Sequence, residues 1–180
     1  MVKEKPQSPV SLDEVEIDWS RSRAWGWGGY YARLFLNIEG REVQGIIPPE
    51  DYERERDALA ERLLAVRGPE GEEWKTRILK PQEYFEETRG DYPDLMVYFD
   101  DLFWRSAGTL GHKTKYLLEN DTGPDDAVHA QDGIYILYDP QIPWKKRKDA
   151  HILDIAPTIL HTMGIPVPED LEGKIITEES

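Results

Sequence analysis

The side chains of this 180-residue chain that could do chemistry are histidines, carboxylates and hydroxyls, because the sequence contains no cysteine. The absence of cysteine excludes disulfides, thiolate zinc sites and cysteine nucleophiles. A neutral imidazole nitrogen is a good ligand for zinc and related ions. One isolated imidazole does not hold a catalytic ion, so metal chemistry in this chain would need further ligands.

The four histidines lie in different surroundings. His129 lies on a loop just before Gly133 and an apolar run at residues 134–138. His112 lies in a glycine-rich irregular stretch, where it either faces a site or is simply solvated. His151 precedes a predicted helix, and His161 lies within it near the negative end of the helix dipole, where an imidazolium is favoured for structural reasons. We therefore interpret the last two as structural.

The helices and strands that position these residues are predicted from the spacing of apolar residues, from turn residues and from helix caps. Tyr52, Leu59 and Leu63 recur at helical spacing after two prolines that suit a first turn. Asp154 is the expected N-cap of a closing helix that ends at Gly164. The predicted strands are residues 34–38, 41–46, 74–79, 93–99 and 134–138. The predicted helices are residues 48–67, 82–85 and 154–164. Residues 24–31 are predicted to form a turn or substrate-facing loop, and residues 100–128 are predicted to be irregular.

Charge and hydrophobicity narrow the classes of partner. The net charge of −14 disfavours nucleic-acid binding, which depends on lysine and arginine replacing condensed counterions. No apolar run reaches the roughly 20 residues that a membrane-spanning helix needs. The amino-terminal residues contain no hydrophobic export signal, so we expect a cytoplasmic protein. The length favours one domain with a sizeable excursion over two independent domains.

Four sequence blocks, taken in order, resemble a known family. They are residues 18–24 (DWSRSRA), 36–45 (LNIEGREVQG), 93–97 (PDLMV) and 129–173, which includes HAQDGIYILYDP, DIAPTILHTMGIP and PEDLEG. In order and spacing they resemble the carboxyl-terminal part of alkaline-phosphatase-superfamily phosphohydrolases, nearest to the type I phosphodiesterase and nucleotide pyrophosphatase group. The likeness covers about residues 18–174.

The resemblance implies an α/β fold, with part of an alkaline-phosphatase-like sheet flanked by helices and an α+β excursion. Residues 1–18 would form a mobile leader, residues 19–174 a single α/β unit and residues 175–180 a frayed tail. Within the unit, residues 24–90 would form a cap-like excursion and residues 91–174 the sheet and closing helix. A piece of a larger sheet exposes an unpaired edge and apolar faces, so we expect self-association or poor solubility.

The resemblance also implies two-metal hydrolysis of phosphate esters. In the family a threonine or serine nucleophile attacks phosphorus, and two ions, commonly zinc or manganese, bind the attacking and leaving oxygens. His129 matches the last histidine ligand of the family. The nucleophile, the Asp-x-x-x-His pair and the adjacent Asp-His pair have no counterpart here. The chain would therefore supply one metal ligand and part of the pocket for a small phosphate ester, and would be inactive without a catalytic amino-terminal portion.

Alternatives remain open at several positions. The resemblance places Asn37 and Arg41 near the substrate, where Asn37 can bind a polar group and Arg41 can make a bidentate contact with phosphate or carboxylate. Equally, Asn37 can satisfy strand-end backbone, and Arg41 can pair with Glu39 or Glu42. We treat the Asp125-x-x-x-His129 spacing as coincidental, since its context differs from the family pattern.

Two further alternatives concern function as a whole. The chain could be a non-catalytic binding or scaffolding module on the same framework, and an independent hydrolase that uses Asp125, Asp126 and His129 alone is the least favoured. The aromatic residues between 25 and 31 could stack a base or sugar or could bury area in a core or interface. The basic run at residues 145–148 could attract an anion, although a solvated connector is the favoured interpretation.

Overall fold

The computed structural model describes residues 1–27, 29–121, 127–138 and 149–176. The chain divides into two compact units, Met1–Gly133 and Ile134–Ser180. Two α-helices and two antiparallel sheets are formed by the described residues. A mixed helix and strand composition was predicted and is confirmed, whereas an alkaline-phosphatase-like arrangement stays a prediction, as does the division into leader, excursion, sheet region and tail.

The strands of the first unit form a four-stranded and a two-stranded sheet. In chain order they are β1 Val10–Ser11, β2 Ala24–Trp27, β3 Ala32–Leu36, β4 Arg77–Leu79, β5 Leu95–Tyr98 and β6 Thr109–Leu110. The larger sheet has the order β2-β3-β5-β4 and the smaller pairs β1 with β6. In the larger sheet Val97 lies opposite Ala32 on one side and Ile78 on the other. The apolar run at residues 93–99 is therefore an interior strand, as predicted.

Helix α1, Tyr52–Leu64, covers the larger sheet. It follows a 3-10 turn, Pro49–Asp51, whose proline and acidic residues suit the positive end of a helix. Leu59 and Leu63 pack against a core of buried strand residues. This confirms the predicted helix and its apolar stripe. Arg56 is an addition that periodicity did not indicate, because it is buried and lies 4.9 Å from the centre of the Tyr52 ring.

Two local predictions in the first unit are wrong. Residues 24–27, expected in a loop because of their glycines, form strand β2, in which Trp25 lies opposite Phe35 and stacks on it at 5.4 Å. Residues 41–46, expected as a strand, form turns, with Glu42 N donating to Ile38 O and Gly45 N to Glu42 O. Gly45 approaches the Ile38 carbonyl so closely that a Cβ there would lie 2.1 Å from its oxygen.

The second unit contains helix α2, Ile155–Thr162, preceded by the 3-10 turn Ile152–Asp154. Gly164 adopts a φ of 68° just beyond the helix, which agrees with its predicted closing role. The strand predicted at residues 134–138 is wrong, since these residues form no strand. An apolar run becomes a strand only when a neighbouring strand accepts its hydrogen bonds, and the described residues provide none for it.

Asp154 connects two segments of the second unit by hydrogen bonds. Its side chain accepts hydrogen bonds from the backbone nitrogens of His151 and Lys174, each at 2.8 Å. These bonds hold the pKa of Asp154 below its usual value. Neither described helix combines the length and apolar character needed to cross a bilayer.

Candidate functional site

The candidate site centres on His129, whose imidazole lies flat against the Tyr30 ring. The ring centres are 4.2 Å apart and the planes differ by 11°. Tyr30 follows Gly29, which is fixed by a β-bridge to Ser106 and by two hydrogen bonds with the Ser106 hydroxyl. The guanidinium of Arg105 lies 5.2 Å from the centre of the same tyrosine ring. Tyr30 thus connects the loop that carries His129 to the Arg105–Ser106 segment.

The His129 imidazole is exposed to solvent. Contact through the ring face leaves the ring edge, which carries both nitrogens, directed away from the stacking partner. Because the residue is exposed, the edge of the ring is accessible to an ion or to another polypeptide segment. His129 can therefore act as one ligand, and that role stays a prediction.

A polar network borders this site through Arg105. Asp121 lies 3.5 Å from the Arg105 guanidinium and accepts hydrogen bonds from the nitrogen and hydroxyl of Thr109, at 2.8 and 2.5 Å. Burial raises the pKa of Asp121, but these bonds outweigh burial and hold it below its usual value. The Thr109 oxygen also lies 2.6 Å from His112 Nε2. Because Thr109 gives its proton to the carboxylate, His112 is the donor in that contact.

Asn37 is buried at the end of β3, where its amide joins three carbonyl groups. Nδ2 donates to Trp19 O, Ser22 O and Gln44 O at 3.1, 2.9 and 2.9 Å. These bonds correspond to the alternative in which Asn37 satisfies backbone at a strand end. A contact with substrate stays a prediction.

Arg41 makes its bidentate contact within the chain. Its Nη1 and Nη2 each lie 2.7 Å from an oxygen of Asp94, its Nη2 also donates to Leu36 O at 2.6 Å, and its Nε donates to Glu42 at 3.0 Å. The hydrogen bond to Asp94 raises the pKa of Arg41. The predicted pairing with Glu42 is present, whereas Asp94 was missed. The signal in the sequence that could have indicated Asp94 is its position as a carboxylate directly before an apolar strand. The predicted contact of Arg41 with a substrate stays a prediction.

Tyr52 completes the arrangement around Asp94. Its hydroxyl donates to Asp94 Oδ1 at 2.7 Å, and Leu36 N donates to Oδ2 at 2.6 Å. Burial and the bond to Asp94 raise the pKa of Tyr52 to about 12. Asp94 is fully buried, so its charge depends on these donors for compensation. Arg41, Asp94 and Tyr52, together with the backbone of Leu36, thereby connect β3, β5 and α1.

Two of the cavities formed by the described residues of the first unit are lined by aromatic side chains. One, of about 490 Å³, is lined by Trp74, Trp104 and Tyr116, and it extends to Val128 beside His129. The other, of about 420 Å³, is lined by Trp19, Trp25 and Trp27. The aromatic residues noted in the sequence therefore separate. Trp25 and Trp27 line the second cavity. Tyr30 stacks on His129, and Tyr31 meets Tyr98 edge-on at 5.7 Å.

No family model, curated protein or solved structure matches this chain. The family resemblance therefore rests on the four sequence blocks alone.

The donor set available for metal is incomplete in the described part of the chain. Within residues 1–27, 29–121, 127–138 and 149–176, no three histidine or carboxylate side chains converge in a way that could hold an ion. Asp125, Asp126 and the basic run at residues 145–148 lie outside the described residues. The exposed imidazole of His129 fits one ligand position for zinc or manganese, and the remaining positions need other groups.

Proposed function

We propose that this chain is the carboxyl-terminal portion of a metal-dependent phosphodiesterase or phosphatase and contributes His129 to a metal site completed by a separate catalytic segment. The observation that carries the proposal is the exposed imidazole held by its face against Tyr30. Stacking on Tyr30 orients the plane of the ring and leaves its edge open, which suits a ligand at a shared site. The four family-like blocks supply the class of reaction.

Tyr30 has a positioning role in this proposal. A metal-binding histidine works best when neighbouring groups restrict its ring orientation before the ion arrives. Stacking on Tyr30 restricts rotation out of the tyrosine plane, and the Gly29–Ser106 bridge anchors the tyrosine backbone. Arg105, against the same ring, is paired with Asp121 at 3.5 Å and gives the tyrosine ring a second contact.

When bound, a pair of zinc or manganese ions would lower the pKa of the nucleophile and neutralise charge on the phosphorus oxygens. The residues of this chain would hold one of the ions and form a wall of the pocket. The cavity that reaches Val128 adjoins this position, and its aromatic lining could receive the organic part of a phosphate ester.

The second candidate is a non-catalytic binding module, favoured by the two aromatic cavities, which need no metal to bind a ligand.

An activity assay on a reconstituted complex distinguishes the hydrolase from the binding module. The chain is co-purified with the polypeptide segment encoded immediately before it, and hydrolysis of bis(p-nitrophenyl) phosphate is measured with zinc and with manganese.

The proposal predicts activity in the complex that falls about 100-fold or more with His129→Ala, because the loss of a ligand removes an ion from a two-metal site. His161→Ala is the matched control, since that histidine lies in helix α2, and it should retain full activity. Full activity with His129→Ala would remove His129 from the mechanism. A stable complex with no activity would favour the binding module.

A further inference from the structure

The second cavity, which we call the tryptophan cavity, brings together three of the six tryptophans of the chain at Trp19, Trp25 and Trp27. Trp19 comes from a 3-10 turn, and the other two come from edge strand β2. Its volume of about 420 Å³ suits a small organic molecule. None of these residues belongs to the His129 site, so the inference is independent of the proposed function.

The walls of the tryptophan cavity are held in place by packing. Trp25 stacks on Phe35 of β3 with centres 5.4 Å apart, and Trp19 meets Trp25 edge-on at 5.2 Å with an interplanar angle of 83°. The two indoles thereby form a right-angled corner. Trp27 lies two residues beyond Trp25, on the same face of the strand, and is 51% exposed. A large indole left half in water beside a cavity is available for a ligand.

The charges that line the tryptophan cavity are negative. Asp13 and Glu42 contribute carboxylates, and the described lining contains neither lysine nor arginine. Arg41 partly compensates Glu42 from outside the lining, at 3.0 Å. The pKa of Asp13 is held below its usual value by hydrogen bonds from the Ser11 hydroxyl and from its own backbone, so this carboxylate is charged at neutral pH.

Aromatic faces and carboxylates together select a cation that is large and weakly hydrated. A cation above an indole face is attracted by the negative centre of the ring, and methylation removes the cost of breaking hydrogen bonds to water. An anion or a nucleotide would be repelled by the same carboxylates. A divalent metal finds no group of three ligands in the described residues.

We propose that the tryptophan cavity binds a quaternary ammonium or multiply methylated amine group. The cation would lie against the corner of Trp19 and Trp25, with Trp27 closing over it and Asp13 and Glu42 balancing its charge. This assigns a binding site to a surface that the proposed hydrolysis does not use.

The test is a fluorescence and calorimetric titration of the full chain with choline. Its matched control is 3,3-dimethyl-1-butanol, which has the same shape without the charge. We expect saturable binding of choline with a change in tryptophan emission, and binding of the neutral alcohol weaker by about 10-fold. Glucose is titrated in parallel, and binding of glucose without binding of choline would overturn the proposal in favour of a sugar site.

Two variants localise the signal. Trp27→Ala removes a half-exposed side chain and should preserve the fold, as circular dichroism can verify, while weakening choline binding about 5-fold or more. Trp104→Ala alters the other cavity and should leave choline binding unchanged. Equal affinity for choline and its neutral analogue, no saturable choline binding, or sensitivity to Trp104→Ala but not to Trp27→Ala would each contradict the proposal.

Discussion

The guanidinium of Arg41 and the carboxylate of Asp94 form a two-point ion pair, in which both nitrogen–oxygen distances are 2.7 Å. The carboxylate is fully buried and the arginine side chain is 37% exposed. The pair joins the turn after β3 to the start of β5. It thereby fixes the position of a turn that the sequence predicted as a strand.

Removal of Arg41 should destabilise the first unit strongly. Arg41→Ala leaves the Asp94 charge buried with fewer donors, and breaking such a pair costs about 3 kcal/mol or more. Urea unfolding followed by tryptophan fluorescence measures the loss. Arg54→Ala is the control, because the Arg54 side chain is 67% exposed and solvent screens its pair with Asp51, so the loss of stability should be much smaller. Equal small losses for the two variants would contradict a structural role for Arg41.

Asn37 should be needed for stability. Asn37→Ala leaves three carbonyl groups without their shared donor, and unsatisfied buried groups of this kind cost about 2 kcal/mol. Thermal unfolding should therefore shift to a lower temperature. Gln44→Ala retains the backbone carbonyl that Asn37 contacts and should unfold almost as the wild type does. An unchanged transition in Asn37→Ala would show that these bonds contribute little.

Tyr52 should ionise at a higher pH than a free tyrosine. Its pKa of about 12 exceeds the value of about 10 for a free tyrosine, because of burial and the bond to Asp94. The folded pKa is raised, so the stabilisation is complete below pH of about 10 and is lost as the pH rises toward about 12. Absorbance at the tyrosinate band should show a late transition that Tyr52→Phe removes and the exposed-residue variant Tyr84→Phe retains. A wild-type titration that is complete near the free value would contradict this.

The isolated chain should self-associate through its second unit. Ile134, Ile136 and Tyr138 are 94%, 89% and 82% exposed, and a contiguous set of exposed apolar side chains on a strand-like sequence favours association. Light scattering should give a mass above 20.9 kDa that falls when Ile134 and Ile136 are both replaced by threonine. Leu118→Thr, at another fully exposed apolar position, should have a smaller effect. A monomer at all concentrations would contradict this prediction.

The sequence predicted correctly the elements whose formation is determined by the residues within the element itself. Helix α1 follows from its prolines, acidic first turn and leucine spacing, and β5 follows from an uninterrupted apolar run. Strand β2 was missed because its glycines resemble a turn, whereas pairing with β3 and the stacking of Trp25 on Phe35 stabilise it. The reverse holds for residues 134–138, whose composition is typical of a strand but which have no neighbouring strand among the described residues.

The contacts around the candidate site could not be predicted, because they join distant parts of the chain. Arg41 and Asp94 lie 53 positions apart, and no periodicity connects them. The stacking of His129 on Tyr30 depends on the bridge between Gly29 and Ser106. The sequence analysis selected His129 by its place before an apolar run in a family-like block, and its role as a metal ligand stays a prediction. Its surroundings required the fold.

We propose that His129 ligates an ion in a site shared with a catalytic segment, and metal binding by the reconstituted complex is the sharpest test of this role. Zinc content and affinity are measured for the complex with wild-type chain, with His129→Ala and with the control His161→Ala, whose histidine lies in helix α2. We predict two ions per wild-type and control complex, and the loss of one ion or an affinity weaker by about 10-fold or more with His129→Ala. Retention of both ions at wild-type affinity in His129→Ala would contradict the account.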